Sequence, residues 1–203
     1  MENQRINTNG TQATEVKSIL IAGVGGQGIL RASDILCEAI LASGRDVKKS
    51  EVHGMAQRGG SVTSHVRYGG KVYSPLAARG SVDIMLSFEK LETLRYIDFL
   101  KKNASVLIND EAIFPPAVNM GIASYPENIP DIVGKAFKRV KVVQASALAE
   151  QAGEARTANT VMIGAVSNYL DVLLEVWEEV IGNSFPERLV EVNIEAFKLG
   201  RNA

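Results

Sequence analysis

The chain has 203 residues, 46% hydrophobic and 22% charged, with a net charge of −1. This is the profile of an ordinary globular protein. It offers no global basic field for nucleic acid or an anionic membrane, and no stretch approaches the roughly 20 apolar residues that span a bilayer. The single cysteine, Cys37, excludes an internal disulfide and a self-contained iron–sulfur cluster, which takes about four thiolates. A lone thiol fits a reducing compartment, and a cytoplasmic protein is expected.

Residues 1–16 are rich in Asn, Thr and Gln and lack the apolar core of a signal peptide; they read as a disordered lead-in to one domain over 17–203. Lys17 to Ala22 reads as a buried strand running into glycines. From Gln27 to about Ser43 apolar residues recur at helical spacing, with Cys37 among them as a packing residue and Gly44 as a stop. A short strand is expected at Val47–Val52. Ser61 to Tyr68 alternates as a strand, which places His65 on a surface or interface face; Gly69-Gly70 then reads as a hairpin turn with Lys71–Tyr73 returning.

Further on, strands are expected at Val82–Phe88, Ala104–Asn109 and Val140–Gln144, and helices at Leu91–Leu100 and Ile129–Phe137, with an extended piece at Val118–Tyr125. The remainder reads as helical: Ala147–Gly153, Thr157 to about Leu170, and a last helix with Ser184 and Glu187 as its capping box and Gly200 as its end. The pattern predicts an α/β fold, a Rossmann-like and mostly parallel sheet flanked by helices, with an inserted antiparallel hairpin and a helical C-terminal segment.

Two segments carry chemistry. Gly23, Gly25 and Gly28 satisfy G-x-G-x-x-G, with Gly26 and Gln27 between them, at the junction of a strand and a helix. Glycines there let the backbone turn tightly and approach an anion at the helix N-terminus; the bland alternative is a tight turn that binds nothing. A dinucleotide site also needs an acid about 20 residues on, at the end of the second strand. Glu51 is the nearest candidate and stands late.

The second segment, His53-Gly54-Met55-Ala56-Gln57-Arg58-Gly59-Gly60, combines a titratable ring, an amide and a fixed cation among glycines. On the same rim as the glycine turn, Arg58 would suit a phosphate or carboxylate and His53 a proton. An interface with a partner chain is the competing reading. No His/Cys cluster has metal-ligand spacing, and no Ser stands in a nucleophile elbow.

The two motifs together, Gly-Val-Gly-Gly-Gln-Gly followed by Ser-Glu-Val-His-Gly-Met-Ala-Gln-Arg-Gly-Gly-Ser-Val, resemble the gamma-type domain of the 2-oxoacid:ferredoxin oxidoreductases, and within that family the indolepyruvate type. The resemblance runs from about Lys17 to the last helix. It implies an accessory subunit of a complex that oxidatively decarboxylates a 2-oxoacid to an acyl-CoA and reduces ferredoxin. Thiamine diphosphate and iron–sulfur clusters would sit on a larger partner subunit, with coenzyme A near the junction and no cofactor held by this chain alone. Gly23, Gly25, Gly26, Gln27 and Gly28, with His53, Gly54, Gln57, Arg58, Gly59 and Gly60, carry over as binding or interface residues, none with a catalytic role. Self-association of the isolated chain through its uncovered partner surface is a further expectation. An independent NAD(P)-dependent oxidoreductase, or a nucleotide-binding module, is the alternative.

Overall fold

A computed structural model describes residues 15–54 and 60–203. Most of the N-terminal lead-in, and the positions Gln57, Arg58 and Gly59, lie outside the described residues. The elements in chain order are β1 (Lys17–Val24), α1 (Ile29–Ala42), β2 (Asp46–His53), β3 (Ser61–Gly69), β4 (Val82–Ser87), α2 (Lys90–Arg95), β5 (Leu100–Asn109), α3 (Pro116–Asn119), α4 (Ile129–Ala136), β6 (Arg139–Val143), α5 (Ala145–Ala152), α6 (Ala158–Ser167), α7 (Leu174–Ser184) and α8 (Glu187–Asn202).

The six strands form one sheet in the order β2-β3-β1-β4-β5-β6. β1, β4, β5 and β6 run parallel, while β3 pairs antiparallel with β1 on one side and β2 on the other. The chain goes left from β1 through α1 and right from β4 through α2, so the topological switch falls between β1 and β4. In open α/β sheets ligands bind at the carboxyl ends of the strands beside such a point.

Side-chain alternation in β1 divides the interior into two cores. Ile19 and Ile21 point to a layer made by α1, α5, α6, α7 and α8, where Trp177 and Phe197 are fully buried. Leu20 and Ala22 point to the opposite layer, with Ile129 and Val133 of α4. Cover on both faces is why β1 reads as an unbroken apolar run. α6 lies between α1 and α8 and is buried from Thr160 through Ser167. It meets α8 at two glycines: a methyl group on Gly164 would overlap the Phe197 carbonyl, and one on Gly200 the Val161 carbonyl.

Several expectations are corrected. Residues 71–73 form no strand; the antiparallel hairpin is β2 with β3, and β3 is inserted between β2 and β1. Gly69 is a glycine because the backbone of Glu15 passes over it, 2.7 Å from where a Cβ would be. His65 is buried, not superficial: its Nδ1 accepts the Ala77 N–H at 3.3 Å and its ring meets Phe99 edge-on. The helix expected at Leu91–Leu100 is α-helical only to Arg95; a 3-10 turn at Ile97–Phe99 then leads into β5 at Leu100. The extended piece Val118–Tyr125 opens in the single helical turn of α3. No capping box forms: Ser184 closes α7, Pro186 occupies the cap position of α8, and Gly200 lies inside that helix rather than ending it.

Candidate functional site

The turn between β1 and α1 is closed by its own side chain. Gln27 Oε1 accepts the Val24 N–H at 2.8 Å, while Nε2 donates to the Phe88 carbonyl at 2.8 Å and to Glu111 Oε2 at 3.3 Å. Three of its glycines have distinct reasons. A Cβ at Gly23 would stand 2.7 Å from Gln27 Oε1 and 2.8 Å from Phe88 Cβ; one at Gly28 would stand 2.7 Å from Asn159 Nδ2. Gly26 and Gly28 have φ of 107° and 76°, the left-handed region that favours glycine, and only at Gly26 of these three is the space outside the turn open. An anion therefore has access to the outer face at Gly26, while the inner face is filled by the Gln27 amide.

The second motif returns to the same place. His53 ends β2 opposite Val62, the Gly54 N–H donates to the Ser61 carbonyl at 2.9 Å, and the Gly25 N–H donates to the Gly60 carbonyl at 2.9 Å. The structure thus brings Gly60 to the glycine turn, with His53 at the end of β2; Gln57, Arg58 and Gly59 lie outside the described residues. Ser61 Oγ donates to the buried Glu92 carboxylate and lies 2.8 Å from the Tyr96 hydroxyl, so the start of β3 is fastened to α2.

A cleft of about 200 Å³ opens over Gly26 and Gln27 at the carboxyl ends of β1, β4 and β5, with Asn109, Glu111, Arg156 and Asn159 among its lining. Asn109 is buried; its Nδ2 donates to the Phe88 carbonyl at 3.1 Å and to Glu111 Oε2 at 3.0 Å, and its Oδ1 accepts the Ala145 N–H. Arg156 is forked onto Glu154 at 2.8 and 3.0 Å, and that guanidinium holds the Glu154 carboxyl down at about 2. With Glu111 paired to no cation among the described residues and Arg156 already neutralised by Glu154, the cleft is polar and its unbalanced charge is negative. It can orient a ligand by hydrogen bonds; it holds no activated nucleophile. Asn109 and Glu111 were not singled out from the sequence, although an Asn-Asp-Glu run directly after the apolar β5 stretch marks the same rim.

Beneath the rim lies a second polar centre that the sequence did not reveal. Glu89 is 1% exposed. Its carboxylate accepts the Glu92 N–H at 3.0 Å, the Ile113 N–H at 3.1 Å and the Tyr125 hydroxyl. These bonds tie the β4 end to the long connection after β5, and burial beside Glu89 pushes the Tyr125 phenol upward. The arrangement is structural: every donor is main chain or a neighbouring phenol.

The dinucleotide alternative meets a geometric obstacle. Inserting β3 sets β2 two strands from β1, roughly 10 Å, where a ribose-binding strand must stand beside the turn. Glu51 is bound instead to Lys49 Nζ at 2.6 Å. Among the described residues no three His, Cys, Asp or Glu side chains gather as a metal site, and no helix is long and apolar enough to cross a membrane.

Fold and sequence assign the class. The family model for pyruvate ferredoxin/flavodoxin oxidoreductase matches residues 18–203, and the chain belongs to that family. Among individual relatives, it is 44% identical over 191 residues to indolepyruvate oxidoreductase subunit IorB of Pyrococcus horikoshii, covering 92% of this chain and 95% of the relative. It is 42% identical over 190 residues to the IorB subunit of Archaeoglobus fulgidus, covering 91% and 94%. The gamma subunit of a keto/oxoacid ferredoxin oxidoreductase from Geobacter sulfurreducens shares the fold, with a TM-score of 0.72 at 22% identity over 93% of this chain and 96% of that one.

Proposed function

We propose that this chain is the accessory, gamma-type subunit of an indolepyruvate-type 2-oxoacid:ferredoxin oxidoreductase, working in the cytoplasm with a larger partner subunit. The observation that carries the reading is 44% identity to an indolepyruvate oxidoreductase subunit across nearly the full length of both chains. In such a complex a 2-oxoacid loses carbon dioxide, the acyl group passes to coenzyme A, and two electrons pass to ferredoxin.

The residues of this chain do not fit the redox cofactors, and no step is assigned to it. The sole cysteine is a poor ligand as well as a solitary one: burial in α1 pushes the Cys37 thiol up to about 12, where the thiolate needed for iron is scarce. No Gly-Asp-Gly with a distant Asn-Asn, the mark of a thiamine diphosphate site, occurs in the sequence. Thiamine diphosphate and the clusters then belong to the partner.

Coenzyme A is a better match to the rim. The open face of Gly26 and the hydrogen-bonding side chains Asn159 and Arg156 suit a polar end of such a ligand, with Gly23, Gly25, Gln27 and Gly28 shaping the turn that presents it. His53, Gln57, Arg58, Gly59 and Gly60, on the connection that ends at the Gly25–Gly60 bond, contact either that ligand or the partner subunit.

The reading is tested by purifying the chain alone and together with a larger thiamine- and cluster-containing subunit encoded beside it. The expected result is no activity alone, and indolepyruvate- and coenzyme A-dependent reduction of an electron acceptor by the pair. Turnover of a 2-oxoacid by the isolated chain, or full activity of the partner without it, would overturn the reading. Arg58→Ala separates the two roles of the second motif: a raised KM for coenzyme A marks a ligand contact, and weaker co-purification marks an interface.

A further inference from the structure

The two edges of the sheet are finished differently. On β2 the cations are neutralised: Lys48 pairs with Asp46 at 3.3 Å, and Lys49 pairs with both Asp34 and Glu51. On β6 they are not. Lys135, Lys138, Arg139 and Lys141 run from the end of α4 along the strand, with Lys102 at the start of the adjacent β5, and none of the five has a carboxylate within ion-pair distance among the described residues. Against a net charge of −1 for the whole chain, this is a local concentration of positive charge.

The strand is also a true edge. β6 pairs with β5 from Arg139 to Val143, and no described segment pairs with its other side. Its two faces differ in chemistry. Val140 and Val142 share one face, with Val142 43% exposed; Arg139 and Lys141 lie on the opposite face. Lysines on an edge strand guard against random pairing with other sheets. The same guard becomes a selector when the incoming strand carries the opposite charge, because directly opposed unlike charges on paired strands attract and like charges repel.

We propose that the outer edge of β6 is a docking site for an acidic polypeptide strand, one that alternates carboxylate and apolar residues and adds as a seventh strand to the sheet. Its carboxylates would lie beside Arg139 and Lys141, its apolar residues beside Val140 and Val142, and its main chain would take the unpaired N–H and C=O groups of β6. The alternation on β6 favours a polypeptide over nucleic acid or a lipid surface, since those would use the charge and leave the backbone row and the valine face unmatched. The inference does not depend on the proposed enzymatic role.

The test uses the full chain and a short fluorescent peptide alternating Glu and Val, read by anisotropy and by amide hydrogen exchange. Saturable binding is expected, with slowed exchange at Val140 to Val142, and weakening as salt is raised. The double variant Arg139→Glu with Lys141→Glu should bind about tenfold more weakly. If charge reversal perturbs folding, the milder pair Arg139→Gln with Lys141→Gln takes its place, with a smaller loss expected. Equal binding by these variants, equal binding of a scrambled peptide of the same composition, or absence of binding to the natural chain would each overturn the proposal. Tighter binding of an RNA oligonucleotide or of phosphatidylserine vesicles than of the peptide would overturn it as well.

Discussion

The Gly25 N–H and the Gly60 carbonyl are joined at 2.9 Å, so the glycine turn after β1 meets the start of β3, a point far along the chain. The turn that closes β1 and the residue that opens β3 are therefore fastened to one another. Perturbing either is expected to be felt at the other, and the Gln27 side chain, which holds the turn from within, is where this is most directly tested.

Gln27→Ala removes the side-chain partner of the Val24 N–H in a partly buried place and leaves the Phe88 carbonyl with Asn109 as its remaining side-chain donor. Unsatisfied groups of this kind cost about 1–3 kcal/mol. Urea denaturation should show a loss in that range, and Gln27→Glu should be worse than Ala above pH 6, because it sets a second carboxylate beside Glu111 and a carbonyl. A loss for Ala below about 0.5 kcal/mol would mean the plug does not hold the turn.

Helical glycines divide into two groups. Gly164→Ala and Gly200→Ala each drive a methyl group into a main-chain carbonyl of the facing helix, and each should cost about 3 kcal/mol or more, or prevent folding. Gly134→Ala in α4 and Gly182→Ala in α7 meet open space and should stabilise by about 0.5–1 kcal/mol through the ordinary helix preference. Thermal melts of the four variants should sort them into these two signs.

His65 is held neutral by burial, which lowers its pKa, and by the Ala77 N–H pointing at Nδ1. A lowered folded-state pKa means that the unfolded chain takes up the proton first. Stability should be undiminished above the unfolded value near 6.5 and should fall as the pH drops below it. His65→Asn, which keeps an acceptor and removes the titration, should flatten that part of the stability profile between pH 7 and 5.

Cys37 gives the opposite slope. Its folded thiol is raised from 9.0 to about 12 by burial. The unfolded chain therefore releases the proton first, and the contribution of Cys37 is complete below 9.0 and declines as pH climbs toward 12. At pH 8 a thiol reagent should react far more slowly with the native chain than with the chain in denaturant. Equal rates would place the thiol in solvent.

Much of this architecture was legible from the sequence because its signals are local. Ser-Ile-Leu-Ile-Ala before the glycines, and the helical repeat from Ile29 to Ile40, state their own structure. The neighbour of a strand is a different matter. Alternation in Ser61–Tyr68 identifies β3 without saying that it slides between β1 and β2, and the glycine pair after it imitates a hairpin turn when Gly69 actually serves the close passage of Glu15. His65 alternates with valines as a surface residue would, yet the segment around Ala77 covers it. At the rim, the glycine turn was readable. Glu89 and Glu92 were not, since buried carboxylates look like any others until their donors, Tyr125 and Ser61, arrive from distant parts of the chain.

The insertion of β3 also bears on how the chain is made. β1 leaves the ribosome before either of its neighbours in the sheet: Ile19 lies against Val66 on one side and Ile84 on the other. Until β3 and β4 have been synthesised, a strongly apolar strand waits with both edges open, a state that invites pairing with other chains. The β2–β3 hairpin closes locally and can present its free side as a ready template. Nascent chains stalled before residue 61 should therefore engage holding chaperones more strongly than chains stalled after β4.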